Sequence, residues 1–180
     1  MKGIIFTEFL DMVEAQFGLA VADEIITNSN TVNNGVYTSV GTYDFNEMVA
    51  LLVALGDVVS KDIQDLLYTF GLYLFQSLDK AHPEIIRNYK SPMPLIAAIE
   101  DHIHVHVKKL YPDADLPSFL ILEKSKSKLV LMYSSTRGLY SLAHGLIVSA
   151  FKHYGQQVNV TYDLIETDGT KVKFILETHV

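Results

Sequence analysis

Val158–Thr178 reads V-N-V-T-Y-D-L-I-E-T-D-G-T-K-V-K-F-I-L-E-T. Its two arms, Val158–Glu166 and Lys171–Thr178, flank Asp168-Gly169, a strong hairpin signal. Upstream, Phe119–Leu122 and Leu129–Tyr133 are short apolar runs around the polar turn Lys124–Lys128, a second hairpin. Between the hairpins, Leu139, Leu142, Ala143, Leu146, Ile147, Ala150 and Phe151 recur at the spacing of an amphipathic helix. Two hairpins around one helix predict a four-stranded antiparallel sheet in the C-terminal part.

The N-terminal part reads differently. Phe6, Phe9, Leu10, Val13 and Phe17 recur at three- and four-residue steps, and Gly18 is a natural stop. A short helix follows over about 20–28, then an ordered loop over 29–43, rich in Asn, Thr, Ser and Gly. Asp44 with Glu47 resembles a capping box for a helix ending at Gly56. Ser60 can cap the next helix, whose apolar face is Ile63, Leu66, Leu67, Phe70, Leu74 and Leu78. Ser91-Pro92-Met93-Pro94 is a break, and one helix is expected over about 94–110, ended by Tyr111-Pro112. The fold class is therefore α+β: a mainly helical N-terminal part, then a four-stranded antiparallel sheet with helices.

The 180 residues suit one domain or two intimate subdomains. With 49% hydrophobic residues a sizeable core is available. A net charge of −7 argues against nucleic-acid binding, because such a surface repels phosphates. The absence of cysteine excludes disulfides, thiolate metal sites and cysteine nucleophiles, and fits a cytoplasmic location. The longest apolar run, Met48–Leu55, is too short to span a membrane, and no targeting segment is visible.

Two stretches could carry chemistry. His102, His104 and His106 alternate. On a strand they would share a face and could bind zinc. On a helix, His102 and His106 lie one turn apart and His104 points elsewhere. The stripe Ile99, Ile103, Val107 and Leu110 favours the helix, and periodicity alone makes His106 the buried histidine. All three could equally be ordinary helix histidines. In the second stretch, Tyr133, Ser135 and Arg137 alternate. If extended, they place two hydroxyls beside a guanidinium, a set suited to carboxylate or phosphate. An ordinary strand end with a surface arginine would look the same. The sequence has no Gly-rich phosphate loop, G-x-S-x-G elbow or H-E-x-x-H motif.

Together the two stretches resemble the H-NOX family, the haem-nitric oxide/oxygen binding domains related to the sensor domain of soluble guanylate cyclase. The resemblance covers nearly the whole chain. It includes Met1-Lys2-Gly3-Ile4-Ile5, Leu116-Pro117 and the Y-x-S-x-R residues Tyr133, Ser135 and Arg137. Family members place the proximal histidine seven residues before a tyrosine that ends its helix and thirteen before a proline that packs on haem. From His104 those steps reach Tyr111 and Pro117; from His102 they reach Lys109 and Asp115, and from His106 Asp113 and Phe119. The resemblance therefore implies His104 as the axial iron ligand, against the periodicity.

It further implies haem b enclosed between the helical part and the sheet. Tyr133, Ser135 and Arg137 would hold the propionates, and Pro117, Ile5 and Leu146 would contact the haem. The implied organisation is one domain over 1–180, with a helical subdomain over about 1–60 and a haem-pocket and sheet subdomain over about 61–180. Oxygen-binding relatives use a distal tyrosine, here Leu142, supported by polar residues, here Phe9 and Leu74. Those apolar residues imply a sensor for nitric oxide that also binds carbon monoxide, rather than an oxygen binder. Tyr140 sits about 200° from residue 142 on the helix and should face away. The expected output is a weakened His104–iron bond and a conformational shift. A separate histidine kinase or an enzyme of cyclic-di-GMP metabolism would read it. A non-enzymatic role is expected. The cysteine-rich zinc site of some relatives does not carry over. The alternatives are an oxygen-binding H-NOX, a non-haem metal hydrolase using His102 and His106, and a cofactor-free interaction module.

Overall fold

The computed structural model describes residues 1–178. The last two positions of the expected domain, His179 and Val180, lie outside the described residues. Four helices come first: α1 (Gly3–Phe17), α2 (Leu19–Ser29), α3 (Phe45–Val59) and α4 (Ile63–Ala81). Shorter pieces follow: α5 (Pro83–Ile86), α6 (Pro92–Ala97), a π-helical turn (Ile99–Ile103) and α7 (His104–Leu110). The chain then forms β1 (Ser118–Lys124), β2 (Lys128–Ser134), α8 (Tyr140–His153), β3 (Asn159–Leu164) and β4 (Lys171–Glu177). It divides into two compact units, Met1–Phe70 and a second beginning at Gly71, so the division falls within α4.

In the first unit, the expected stop at Gly18 is observed: it adopts φ +94° and its N–H donates to Glu14 O at 3.0 Å. Phe6, Phe9, Met12 and Val13 of α1 are fully buried, as are Ile25, Leu51 and Leu55 of α2 and α3. Phe9 meets the edge of Phe70 at 5.3 Å between ring centres. Three local expectations are corrected. The helix expected to end at Gly56 runs on to Val59. Ser60 ends that helix in the left-handed region (φ 53°) instead of opening the next, which Asp62 caps by accepting the Gln64 N–H at 2.7 Å. The capping box is half made. Asp44 accepts from Asn46 N–H, but the Glu47 side chain turns to the 31–37 loop. There it accepts from Asn33 N–H (3.2 Å), Asn33 Nδ2 (2.6 Å) and Tyr37 OH (3.1 Å). A buried carboxylate is stable only with such donors, so Glu47 holds the loop.

The second unit carries the expected sheet, fully antiparallel, in the order β1-β2-β4-β3. Alternate residues of β4, Val172, Phe174 and Leu176, are fully buried, as period-two patterning requires. They join Leu129, Leu131 and Tyr133 of β2 and Ala143, Ile147, Ala150 and Phe151 of α8 in one core. Strand β1 is an edge, and its pairing with β2 shifts between Ile121 and Glu123, a bulge. Helix α8 meets α4 at very short range. A Cβ on Gly71 would lie 2.3 Å from Leu142 O and 2.8 Å from Gly145 Cα. Beside this crossing, Ser149 Oγ donates to Leu72 O at 3.0 Å.

The single helix expected over 94–110 is instead three pieces. Ala98 leaves helical geometry (φ −96°, ψ 4°), and the bonds then skip a residue: Ile103 N–H donates to Ala98 O and His104 N–H to Ile99 O. Such i→i+5 turns hold one residue more than an α-turn and occur often at functional sites.

Candidate functional site

The π turn lies directly before the helix that carries His104 and His106. Each residue in a wider turn advances by less than the 100° of an α-helix, so a constant-period projection loses phase across 99–103. His104 begins α7 with its side chain only 14% exposed. His102 is exposed, and His106 is half-buried. His104 and His106 are both half-buried, so periodicity does not single out one buried histidine here. Burial pushes the His104 imidazole below its ordinary pKa; Glu100 opposes that shift and Lys108 adds to it. Its Nδ1 lies 3.5 Å from Glu100 Oε2, without an aligned hydrogen bond to any protein group.

Phe119 gathers the site. Its ring centre lies 6.0 Å from that of His104 and 5.5 Å from that of Tyr133, its register partner on β2. Its N–H donates to Glu100 Oε2 at 3.0 Å. Tyr133 is 1% exposed, and burial raises its phenol pKa, opposed by hydrogen bonding to Ser135 and the Leu139 backbone and by the charge of Arg137. The extended geometry expected for Tyr133 to Arg137 holds only through Ser134; residues 135–137 turn out of the sheet. Ser135 stays tied to the sheet margin by its N–H to Thr170 O (2.9 Å), and its Oγ accepts from Arg137 N–H (3.2 Å). The three side chains therefore remain neighbours after alternation ends.

Arg137 grips Asp115 from two nitrogens: Nη1 donates to the main-chain O at 3.0 Å, and Nη2 lies 3.1 Å from the carboxylate. The guanidinium is thus already arranged on a carboxylate, the chemical class of a propionate. Pro117 is half-buried just before β1. Leu74 is buried, and Leu142 and Leu146 on α8 are half-buried. Ile5 and Phe9 belong to the first unit, half-buried and fully buried respectively. Tyr140 and His144 point their rings at β3, 5.4 and 5.6 Å from Tyr162.

His102 and His106 line a separate cleft of about 420 Å³ with Ile85, Asn88, Tyr89 and Ile103. No cluster of three or more His, Cys, Asp or Glu side chains that could hold a metal ion occurs among the described residues. The hydrolase alternative therefore has no third donor of that kind. Glu100, Asp115 and Phe119 were not singled out from the sequence. Glu100 is one helical turn before His104, the one signal that pointed to it.

The donor set fits a haem. A half-buried imidazole with open bonding capacity suits iron, and a guanidinium with two hydroxyls suits two propionates. The profile of the Haem-NO-binding family matches residues 2–162. The chain belongs to this family. H-NOX chains are haem-binding gas-sensor domains, not enzymes. The ferrous unliganded H-NOX protein from K. algicida is 44% identical, with a TM-score of 0.96 over 100% of this chain and 97% of that one. An H-NOX from S. oneidensis in the Fe(II)NO state is 30% identical, with a TM-score of 0.91 and full coverage of both chains. The IWP-051-bound H-NOX from Shewanella woodyi in the Fe(II)CO state is 32% identical, with a TM-score of 0.85, covering 99% of this chain and 95% of that one. A search of curated proteins finds no match. No described helix of this H-NOX chain is long and apolar enough to cross a membrane.

Proposed function

We propose that this H-NOX domain, spanning 1–180, is a nitric oxide sensor that binds haem b and discriminates against oxygen. The observation that carries the reading is the gathering of His104 and Tyr133 around Phe119, with Ser135 and Arg137 beside the tyrosine. When bound, ferrous haem supplies an open coordination position for diatomic gases. His104 would hold the iron; Arg137, Tyr133 and Ser135 would neutralise and hydrogen-bond the propionates; Pro117 and Leu146 would cover apolar surface.

Selectivity follows from what the distal candidates lack. Oxygen on ferrous iron gathers negative charge and gains from a hydrogen-bond donor, whereas nitric oxide and carbon monoxide need none. Phe9, Leu74 and Leu142 carry no donor, and the rings of Tyr140 and His144 on α8 lie against Tyr162 of β3. The output is a change at His104. His104 would hold the iron from the start of α7, a change in how it is held would reach the segment 99–110, and a partner would distinguish the two conformations. The partner class that fits is a cytoplasmic histidine kinase or cyclic-di-GMP enzyme.

Mixing the reduced holoprotein with air-saturated buffer tests the selectivity. The expected result is no lasting oxygen complex, with nitric oxide and carbon monoxide both bound. A long-lived oxy spectrum would refute nitric oxide selectivity and leave the haem assignment standing.

A further inference from the structure

Glu100 lies inside the π turn, and one carboxylate oxygen has two neighbours. Oε2 accepts the Phe119 N–H at 3.0 Å, and the same oxygen lies 3.5 Å from His104 Nδ1. The first contact anchors the carboxylate to the start of β1, so it is held beside the imidazole from outside the helix. His104 Nδ1 is itself buried and makes no aligned hydrogen bond to protein, so the nearby carboxylate is the acceptor within reach. A neutral imidazole carries one ring proton, and the hydrogen bond made by one nitrogen decides which nitrogen is left to bind a metal.

We propose that Glu100 is a positioning residue for His104: its carboxylate accepts a hydrogen bond from Nδ1–H, fixing the tautomer that presents Nε2 to the iron. The inference rests on His104 being the axial ligand. A carboxylate in this position makes an imidazole a more basic, more tightly held ligand. Glu100 thereby sets how readily His104 lets go, which is the event the sensor reads. Glu100 also ties the ligand helix to β1 through Phe119, so release of His104 is felt at the edge strand.

The test is resonance Raman spectroscopy of the ferrous holoprotein, wild type and Glu100→Gln. Glutamine keeps the length and an oxygen for Phe119 N–H, so a purely structural role is preserved while the charge is lost. The iron–histidine stretch should fall in the variant, and histidine release on nitric oxide addition should quicken about tenfold or more, the usual scale for outer-shell partners. Nitrogen-15 NMR of His104 in the carbon monoxide complex gives a second reading, with Nδ1 protonated in the wild type. An unchanged stretch and release rate in Glu100→Gln would overturn the proposal while leaving His104 as ligand. A wild-type protein with no iron–histidine stretch would overturn both.

Discussion

Replacing Gly71 with alanine should destabilise the protein, although alanine is the better helix former. In an exposed helix the substitution stabilises by about 1 kcal/mol. Here the new Cβ would sit 2.3 Å from Leu142 O, 2.8 Å from Gly145 Cα and 2.9 Å from Leu146 N. All three are backbone atoms, so no side chain can swing aside. Restoring ordinary contact needs α4 and α8 to part by about 1 Å, and overpacking on this scale costs roughly 1–3 kcal/mol. Parting also stretches the 3.0 Å bond from Ser149 Oγ to Leu72 O, a further loss of about 0.5–1.5 kcal/mol. The clash therefore outweighs the propensity, for a net loss of about 1–3 kcal/mol. For a chain of this length that lowers Tm by roughly 3–10 °C. Thermal melts of the holoprotein by far-ultraviolet circular dichroism measure it. A Tm equal to or above wild type would show that α8 yields at no cost, and the close-crossing argument would fail.

Two other perturbations bear on the site. Arg137→Ala removes the guanidinium, and haem should pass to an apo-globin acceptor about 10- to 150-fold faster, the equivalent of one charged hydrogen bond; equal transfer rates would remove Arg137 from the propionate site. Acid should weaken the fold below about pH 6.5, because burial lowers the pKa of His144 and the unfolded chain then binds the extra proton. Stability is complete above that ordinary histidine value and declines toward the lower folded value. The slope of urea midpoint against pH from 7.5 to 5.5 should flatten in His144→Phe, and an identical slope would exclude His144 as a contributor.

The sheet was legible because its code is local. Asp168-Gly169 and the polar Lys124–Lys128 turn each fix a hairpin without help from elsewhere. The helix caps were partly legible. Asp44 competes only for nearby N–H groups, whereas Glu47 had the choice of α3 or the loop, and three donors from the loop prevailed. The histidine window was legible only in part, for the structure leaves His104 and His106 both half-buried. Periodicity assumes a constant turn, and the π turn at 99–103 breaks that assumption just before His104. The spacing from His104 to Tyr111 and Pro117 lies beyond the irregular turn and does not depend on it. Asp115 and Glu100 stayed hidden because their roles depend on chain segments brought back by the fold, at Arg137 and Phe119.

Edge strand β1 has a consequence for behaviour at high concentration. Leu120, Ile121 and Leu122 are 64%, 37% and 48% exposed, on a strand that has a neighbour in the sheet on one side only among the described residues. An edge of this kind invites a strand from another molecule to dock, the first step of aggregation. The bulge between Ile121 and Glu123 interrupts the regular row of donors and acceptors such a strand would need. Glu123 and Lys124 follow at once, and a docking copy would have to desolvate both charges. The irregularity thus acts as a guard, letting a greasy segment stand at the margin of the sheet without becoming a template.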